Sequence, residues 1–123
     1  MNLNQVTVAC TDVERAVAFY RRLCLTPIVL APHYARFVCP DGDSSFSVHR
    51  ADAVTPGDTI VFFECDDLDE RCALLAEDGV VFDSQPKDEP WLWRQARLRD
   101  PDGNRLCLFR AGENRLNPPW RVS

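Results

Sequence analysis

The strongest constraint in this 123-residue chain is that it repeats itself. The apolar run Val6-Thr7-Val8-Ala9-Cys10 returns as Val61-Phe62-Phe63-Glu64-Cys65, and an amphipathic segment follows each. A constant offset of 55 residues carries Cys10 onto Cys65, Val13 onto Leu68, Ala18 onto Ala73 and Phe19 onto Leu74. The second halves match after one deletion. Pro40-Asp41-Gly42 and Pro101-Asp102-Gly103 each make a turn before a short strand with alternating apolar residues. A unit of about fifty-five residues buries too little apolar surface to be more than marginal alone. Two copies sharing a sheet solve that problem.

Each copy reads as strand, helix, then three strands. The first spans 4–10, 12–23, 26–31, 34–39 and 45–50; the second spans 59–65, 67–78, 80–84, 92–99 and 104–110. The fold class expected is α+β, a single domain of two β-α-β-β-β modules forming a curled eight-stranded mixed sheet with a concave cleft. Module 1 covers about 3–56, module 2 about 57–110, and a tail covers 111–123. Thr11-Asp12-Val13-Glu14 fits a capping box with Thr11 as the N-cap. Asp66-Asp67-Leu68-Asp69 sets carboxylates at the positive end of the second helix. Helical spacing puts Val13, Ala16, Val17, Tyr20 and Leu23 on one face, and Leu68, Cys72, Leu75 and Ala76 on the other helix's equivalent face. Gly79 suits the left-handed residue that ends a helix. Cys24 stands in its place in the first copy, so the first helix is expected to end differently. The tail, with Pro118-Pro119-Trp120, is expected to form no regular element and to dock Trp120 on the body or on a partner subunit.

Strand parity separates two faces. Val6, Val8, Cys10, Phe46 and Val48 belong under the first helix, and Val61, Phe63, Cys65, Leu106 and Leu108 under the second. The opposite face then carries Gln5, Thr7, Ala9, Ser45, Ser47 and His49 in module 1, and Ile60, Phe62, Glu64, Arg105, Cys107 and Phe109 in module 2. In Trp91-Leu92-Trp93-Arg94-Gln95-Ala96-Arg97-Leu98-Arg99, inward Ala96 and Leu98 turn Trp93, Gln95 and Arg97 the same way. That mixed polar and aromatic surface is unlike a second core and reads as a ligand cleft.

A formal charge of −5 and a pI near 4.9 argue against a phosphate-backbone partner, so no nucleic acid is expected. No run approaches the ~20 apolar residues of a membrane helix. The first residues carry no basic cluster with an apolar stretch behind it, which points to a cytoplasmic protein. Its six cysteines are then expected to stay reduced; no C-x-x-C pair occurs among them.

With the duplication, the segment Thr11-Asp12-Val13-Glu14-Arg15-Ala16-Val17-Ala18-Phe19-Tyr20 and the turn Asp100-Pro101-Asp102-Gly103-Asn104 resemble the vicinal oxygen chelate superfamily. That group includes glyoxalase I, extradiol dioxygenases and the fosfomycin- and bleomycin-resistance proteins. The resemblance spans roughly residues 3–110. Most of its enzymes hold a divalent metal at four strand positions. Carried across, those positions fall on Gln5, Ser47, Ile60 and Cys107. Iron, nickel, manganese and zinc centres of this kind need imidazole nitrogen and carboxylate oxygen, which this set lacks. No metal cofactor is therefore expected, and the resemblance leans to the bleomycin-resistance type, which sequesters a ligand without transforming it.

The expected site comprises Gln5, Thr7, Ser47, His49, Phe62, Glu64, Trp93, Arg97, Cys107 and Phe109. Aromatic faces beside an arginine suit a planar or anionic small molecule. His49, Glu64 and Cys107 are the candidate catalytic groups: an acid–base pair or displaced metal ligands in the first two, a nucleophile in the third. Each has a plainer reading, as a polar rim histidine, a carboxylate satisfied by an arginine (Arg97 among them) and a packing thiol. The primary expectation is a homodimeric binder of a small organic ligand. Two alternatives stay open. One is a lyase or dioxygenase of the same superfamily, glyoxalase I-like, with an Fe, Ni, Mn or Zn ion on displaced ligands. The other is a dimeric partner-binding domain with a vestigial cleft.

Overall fold

A computed structural model describes residues 1–122. In order, the elements are β1 (Gln5–Cys10), α1 (Val13–Arg22), β2 (Thr26–Ala31), β3 (Tyr34–Val38), β4 (Ser45–Arg50), β5 (Ile60–Glu64), α2 (Leu68–Glu77), β6 (Phe82–Asp88), β7 (Arg94–Arg99) and β8 (Arg105–Arg110). They form two compact units. The first holds Met1–Thr59 together with Asp100–Asn104, and the second holds Ile60–Arg99 and resumes at Arg105. Hydrogen bonding divides the eight strands four and four, in the orders β1-β4-β3-β2 and β5-β8-β7-β6. In each sheet the first pair is parallel and the other two are antiparallel. The duplication seen in the sequence is thus a duplication of topology.

In unit 1 the 3.6-residue period brings Val13, Ala16 and Tyr20 inward, over Cys10, Ala35, Phe37, Phe46 and Val48, all buried. Tyr20, Phe37 and Phe46 form a ring cluster with centroids 4.6–6.2 Å apart. Each ring withdraws enough apolar surface to contribute roughly 1.5–3 kcal/mol. The Tyr20 hydroxyl cannot stay unpaired at that depth, and it donates to Asp100 Oδ2 at 2.7 Å. Asp100 also accepts from the Asp102 and Asn104 amides and from Asn104 Nδ2, at 2.8–3.0 Å. Asn104 Nδ2 reaches the Ala9 carbonyl as well, at 2.8 Å. The five-residue turn is thus wired into the first module. Gly103 is required there: φ is +88°, and a Cβ would meet Pro56 Cγ at 2.9 Å.

Several local expectations need correction. The N-cap of α1 is Asp12, which accepts from the Arg15 amide at 3.1 Å, and not Thr11. Thr11 is drawn off by Asp102 Oδ1, to which its amide and hydroxyl donate at 3.1 and 2.8 Å. The first helix does not end differently from the second. Cys24 takes the left-handed conformation, φ 68°, as Gly79 does at φ 93°, with Leu25 N–H donating to Tyr20 O where Val80 N–H donates to Leu75 O. In α2 the buried stripe is Leu68, Cys72 and Leu75, one residue wide, so Ala76 falls on its solvent side. Strand β6 begins at 82 and not 80, because Val80 still closes the helix. It continues to Asp88 across two register shifts, the second of which spans Pro86. The tail does contain a regular piece, a 3-10 helix at Gly112–Arg115. Trp120 keeps 56% of its surface exposed on its own chain, beside a turn closed by Arg121 N–H donating to Pro118 O at 3.0 Å. No disulfide joins any of the six cysteines.

A non-glycine residue at φ 68° carries about 1–2 kcal/mol of backbone strain. Glycine would relieve it at a smaller entropic cost in the unfolded chain. Cys24→Gly is therefore expected to stabilise the protein by about 0.5–1 kcal/mol. A raised urea midpoint at unchanged slope is the check; an unchanged or lowered midpoint would refute the argument.

Candidate functional site

Each sheet buries one face under its helix and leaves the other face free of it. In unit 1, Ala35, Phe37, Phe46 and Val48 point to α1, so their alternates point away. The register aligns these alternates in rows: Gln5 beside Ser45, Thr7 beside Ser47 beside Arg36, and Ala9 beside His49 beside Tyr34. Four expected residues, Gln5, Thr7, Ser47 and His49, are thereby gathered on one face. Thr7 and Ser47 share a hydroxyl hydrogen bond of 2.6 Å, and Ser45 donates to Gln5 Oε1 at 2.8 Å. Ser47 is fully buried, while His49 is exposed at the strand's far end.

The same face carries two groups that sequence reasoning missed, Tyr34 and Arg36 on β3. Arg36 Nε–H donates to the Tyr34 hydroxyl at 2.9 Å, with the guanidinium 5.4 Å from the ring centroid. Hydrogen bonding from Ser47, then from Arg36, holds the Tyr34 phenol below its ordinary range. The signal was available. Applying the parity of Tyr34-Ala35-Arg36-Phe37, with its apolar residues inward, would have turned both outward.

Unit 2 gathers the expected aromatic residues. Trp93 stacks on Phe109 at 4.5 Å with ring planes 19° apart, and Phe62 meets both edge-on at 5.9 and 5.7 Å. Beneath them lies Cys107, opposite Phe62 on one side and Arg97 on the other, fully buried with Ile60 and Trp93 packed on its cluster. Phe62 keeps 43% of its surface exposed, so the cluster has an open aromatic face. An open groove of about 520 Å³ adjoins Trp93, walled by Leu92, Ala111, Gly112 and Asn114 with Asp88, Glu89, Arg94 and Arg110. That volume lies within the range of small-ligand sites. Leu92, with φ 65°, holds a strained turn at its edge.

Two of the candidate catalytic groups, Cys107 and Glu64, have defined surroundings. Burial pushes the Cys107 thiol up to about 11, and its Sγ–H lies 3.8 Å from the Leu108 carbonyl. A thiol so protonated is no nucleophile near neutrality. Glu64 Oε2 accepts from the Ala111 and Gly112 amides at 2.8 and 3.0 Å, and Oε1 lies 3.6 Å from Arg115 Nε. It caps the 3-10 helix, with Arg115 in the place where Arg97 was considered. Its partners lie 47 and 48 residues away in the chain, beyond the reach of local pattern reading.

The four positions at which the superfamily's metal would sit do not fit one. Ile60 has no donor atom, Cys107 is a buried protonated thiol, and Ser47 is engaged by Thr7. Gln5 alone cannot hold an ion, and no chemical step below is derived through a metal.

The sequence matches the family model described as Glyoxalase/Bleomycin resistance protein/Dioxygenase superfamily over residues 2–108. Among curated proteins, none matches. Solved structures share the fold. A glyoxalase/bleomycin resistance protein/dioxygenase from Nocardioides superposes with TM-score 0.79 at 21% identity, covering 100% of this chain and 90% of that one. TnmS3, an antibiotic binding protein from Streptomyces sp. CB03234, gives 0.77 at 28% identity over 90% and 96% of the two chains. A bleomycin-binding protein complexed with bleomycin gives 0.71 at 20% identity over 89% and 98%. The repeated β-α-β-β-β topology and the match across nearly the whole sequence lead to one conclusion: this chain belongs to the glyoxalase/bleomycin resistance protein/dioxygenase superfamily.

Proposed function

We propose that this protein binds a small planar organic molecule without the help of a metal, as a sequestering protein of the cytoplasm. The observation that carries the reading is the open Phe62–Trp93–Phe109 cluster above the buried Cys107. Aromatic side chains presented edge and face to solvent offer a stacking platform, and Arg97 beside them adds a cation. The inert thiol and the structural carboxylate support binding over catalysis. Names of two structural relatives, an antibiotic binding protein and a bleomycin-binding protein, agree with this reading. Among the described residues no helix is long and apolar enough to cross a membrane.

A thermal-shift series with bleomycin, 2-naphthol and naphthalene-2-carboxylate tests it. Binding at about a hundred times Kd stabilises by ~2.7 kcal/mol, which raises the midpoint by several degrees. Silence from all three compounds would contradict the proposal. We also propose a homodimer, supported by the edge strand β2, where Ile28, Val29 and Leu30 are exposed with no charged residue among them. Sedimentation equilibrium at micromolar concentration should return twice the 14.0 kDa chain mass; a monomer would refute it.

A further inference from the structure

The duplication repeats one side chain that neither the cores nor the ion pairs use. Arg36 on β3 stands opposite Ser47, and Arg97 on β7 stands opposite Cys107. The sequence repeat pairs Ser47 with Cys107, so the two arginines occupy equivalent places in their modules. Both lie on the sheet face turned away from the helix, and both are half-buried. Other arginines of the chain have carboxylates beside them: Arg15 has Asp102, Arg94 has Asp69 and Asp88, and Arg99 has Asp83. Among the described residues Arg36 and Arg97 have none.

A guanidinium taken partly out of water loses hydration that an opposite charge would ordinarily offset. An exposed arginine such as Arg21 faces less of that cost. The same residue type, equally placed and equally uncompensated in two modules, points outward for its counter-ion. In module 1 the geometry is already prepared. Arg36 spends its Nε–H on the Tyr34 hydroxyl, which fixes the plane of the fork. Its two Nη groups have no partner among the described residues. The Tyr34 and Ser47 hydroxyls lie on the same face, and Thr7 holds Ser47 in place at 2.6 Å. A planar fork beside the Tyr34 hydroxyl matches the paired oxygens of a carboxylate or phosphate group.

We infer that each module carries its own oxyanion-recognition point, and that Arg36 with Tyr34 forms the one in module 1, Ser47 serving from beneath to hold the Tyr34 hydroxyl. Its occupant is the carboxylate or phosphate of an organic ligand. The inference rests on the proposal that this protein receives a small organic molecule, and it adds the acidic character of what each module recognises.

The test follows arginine Nε–H signals by NMR in the whole, 15N-labelled protein, titrated at pH 7 with benzoate, phenyl phosphate and, as neutral control, benzamide. Arg36→Lys and Arg97→Lys assign the two signals. Both should shift saturably with the acidic probes, at least tenfold more strongly bound than benzamide, while the Arg21 signal does not saturate. The probe that saturates first tells a carboxylic acid from a phosphate ester. Arg36→Met should abolish the module 1 response and leave the Arg97 response intact. Tyr34→Phe should weaken the first at least threefold without touching the second. Saturation at Arg97 alone would overturn the inference while leaving the small-ligand proposal standing. Equal response to benzamide would overturn the acidic assignment. No response at either arginine would overturn it too, and silence of all three compounds in the thermal-shift series would then remove the underlying proposal as well.

Discussion

Asp100→Ala is expected to destabilise the protein by about 3–5 kcal/mol, the largest single effect of any substitution considered. The Asp100 carboxylate is buried and accepts four hydrogen bonds. Bonds to a charged acceptor contribute about 1.5–3 kcal/mol each when deleted singly, and they are not additive. The dominant penalty is the Tyr20 hydroxyl, which would be left without a partner inside the Tyr20–Phe37–Phe46 cluster. Burial, reinforced by the charge of Asp100, already drives that phenol well above its usual range, so it cannot escape by ionising. Asp100→Asn keeps the shape and loses one acceptor, and should cost about half as much. Urea unfolding followed by circular dichroism measures both. A loss below about 1 kcal/mol for Asp100→Ala would show that the turn is not the anchor described here.

The second large effect is on binding. Trp93→Ala should weaken whichever of the naphthalene probes or bleomycin raises the midpoint by about thirtyfold, corresponding to the ~2 kcal/mol typical of a central aromatic contact. Trp93 touches the other two rings at 4.5 and 5.9 Å and is the member of the cluster that also walls the adjoining groove. Trp91, two residues away and 43% exposed, is the internal control. Trp91→Ala should leave affinity within about twofold, since no described ring stacks on it and surface substitutions are commonly near neutral. Fluorescence or calorimetric titration separates the two. Equal losses, or none at Trp93, would place the ligand elsewhere.

What could be read from residue order alone follows the reach of the forces involved. Strand parity and helix period depend on neighbours two to four residues away. They put Phe62, Trp93, Phe109, Thr7 and Ser47 on the faces where they stand. The misreadings lie where a distant group outbids a local one. Thr11 has the sequence of a cap, yet Asp102 takes it from 91 residues away and Asp12 caps instead. Glu64 has the look of a cleft carboxylate until the 3-10 helix of the tail arrives at its oxygen atoms. Cys24 shows the limit of propensity: closing the helix through Leu25 outweighs the strain of a side chain at positive φ. Tyr34 and Arg36 were within reach of the parity rule and were missed only because it was not carried to β3.

The placement of residues 100–104 in the first unit also bears on the order in which the chain can mature. A ribosome that has released residues 1–59 has delivered every strand and the helix of that unit, but not its latch. Until Asn104 has left the exit tunnel, the Tyr20 hydroxyl and the Thr11 amide have nothing in the chain to bond to. The amino-terminal strands and helix therefore gain these two bonds only once residues 100–104 have been made.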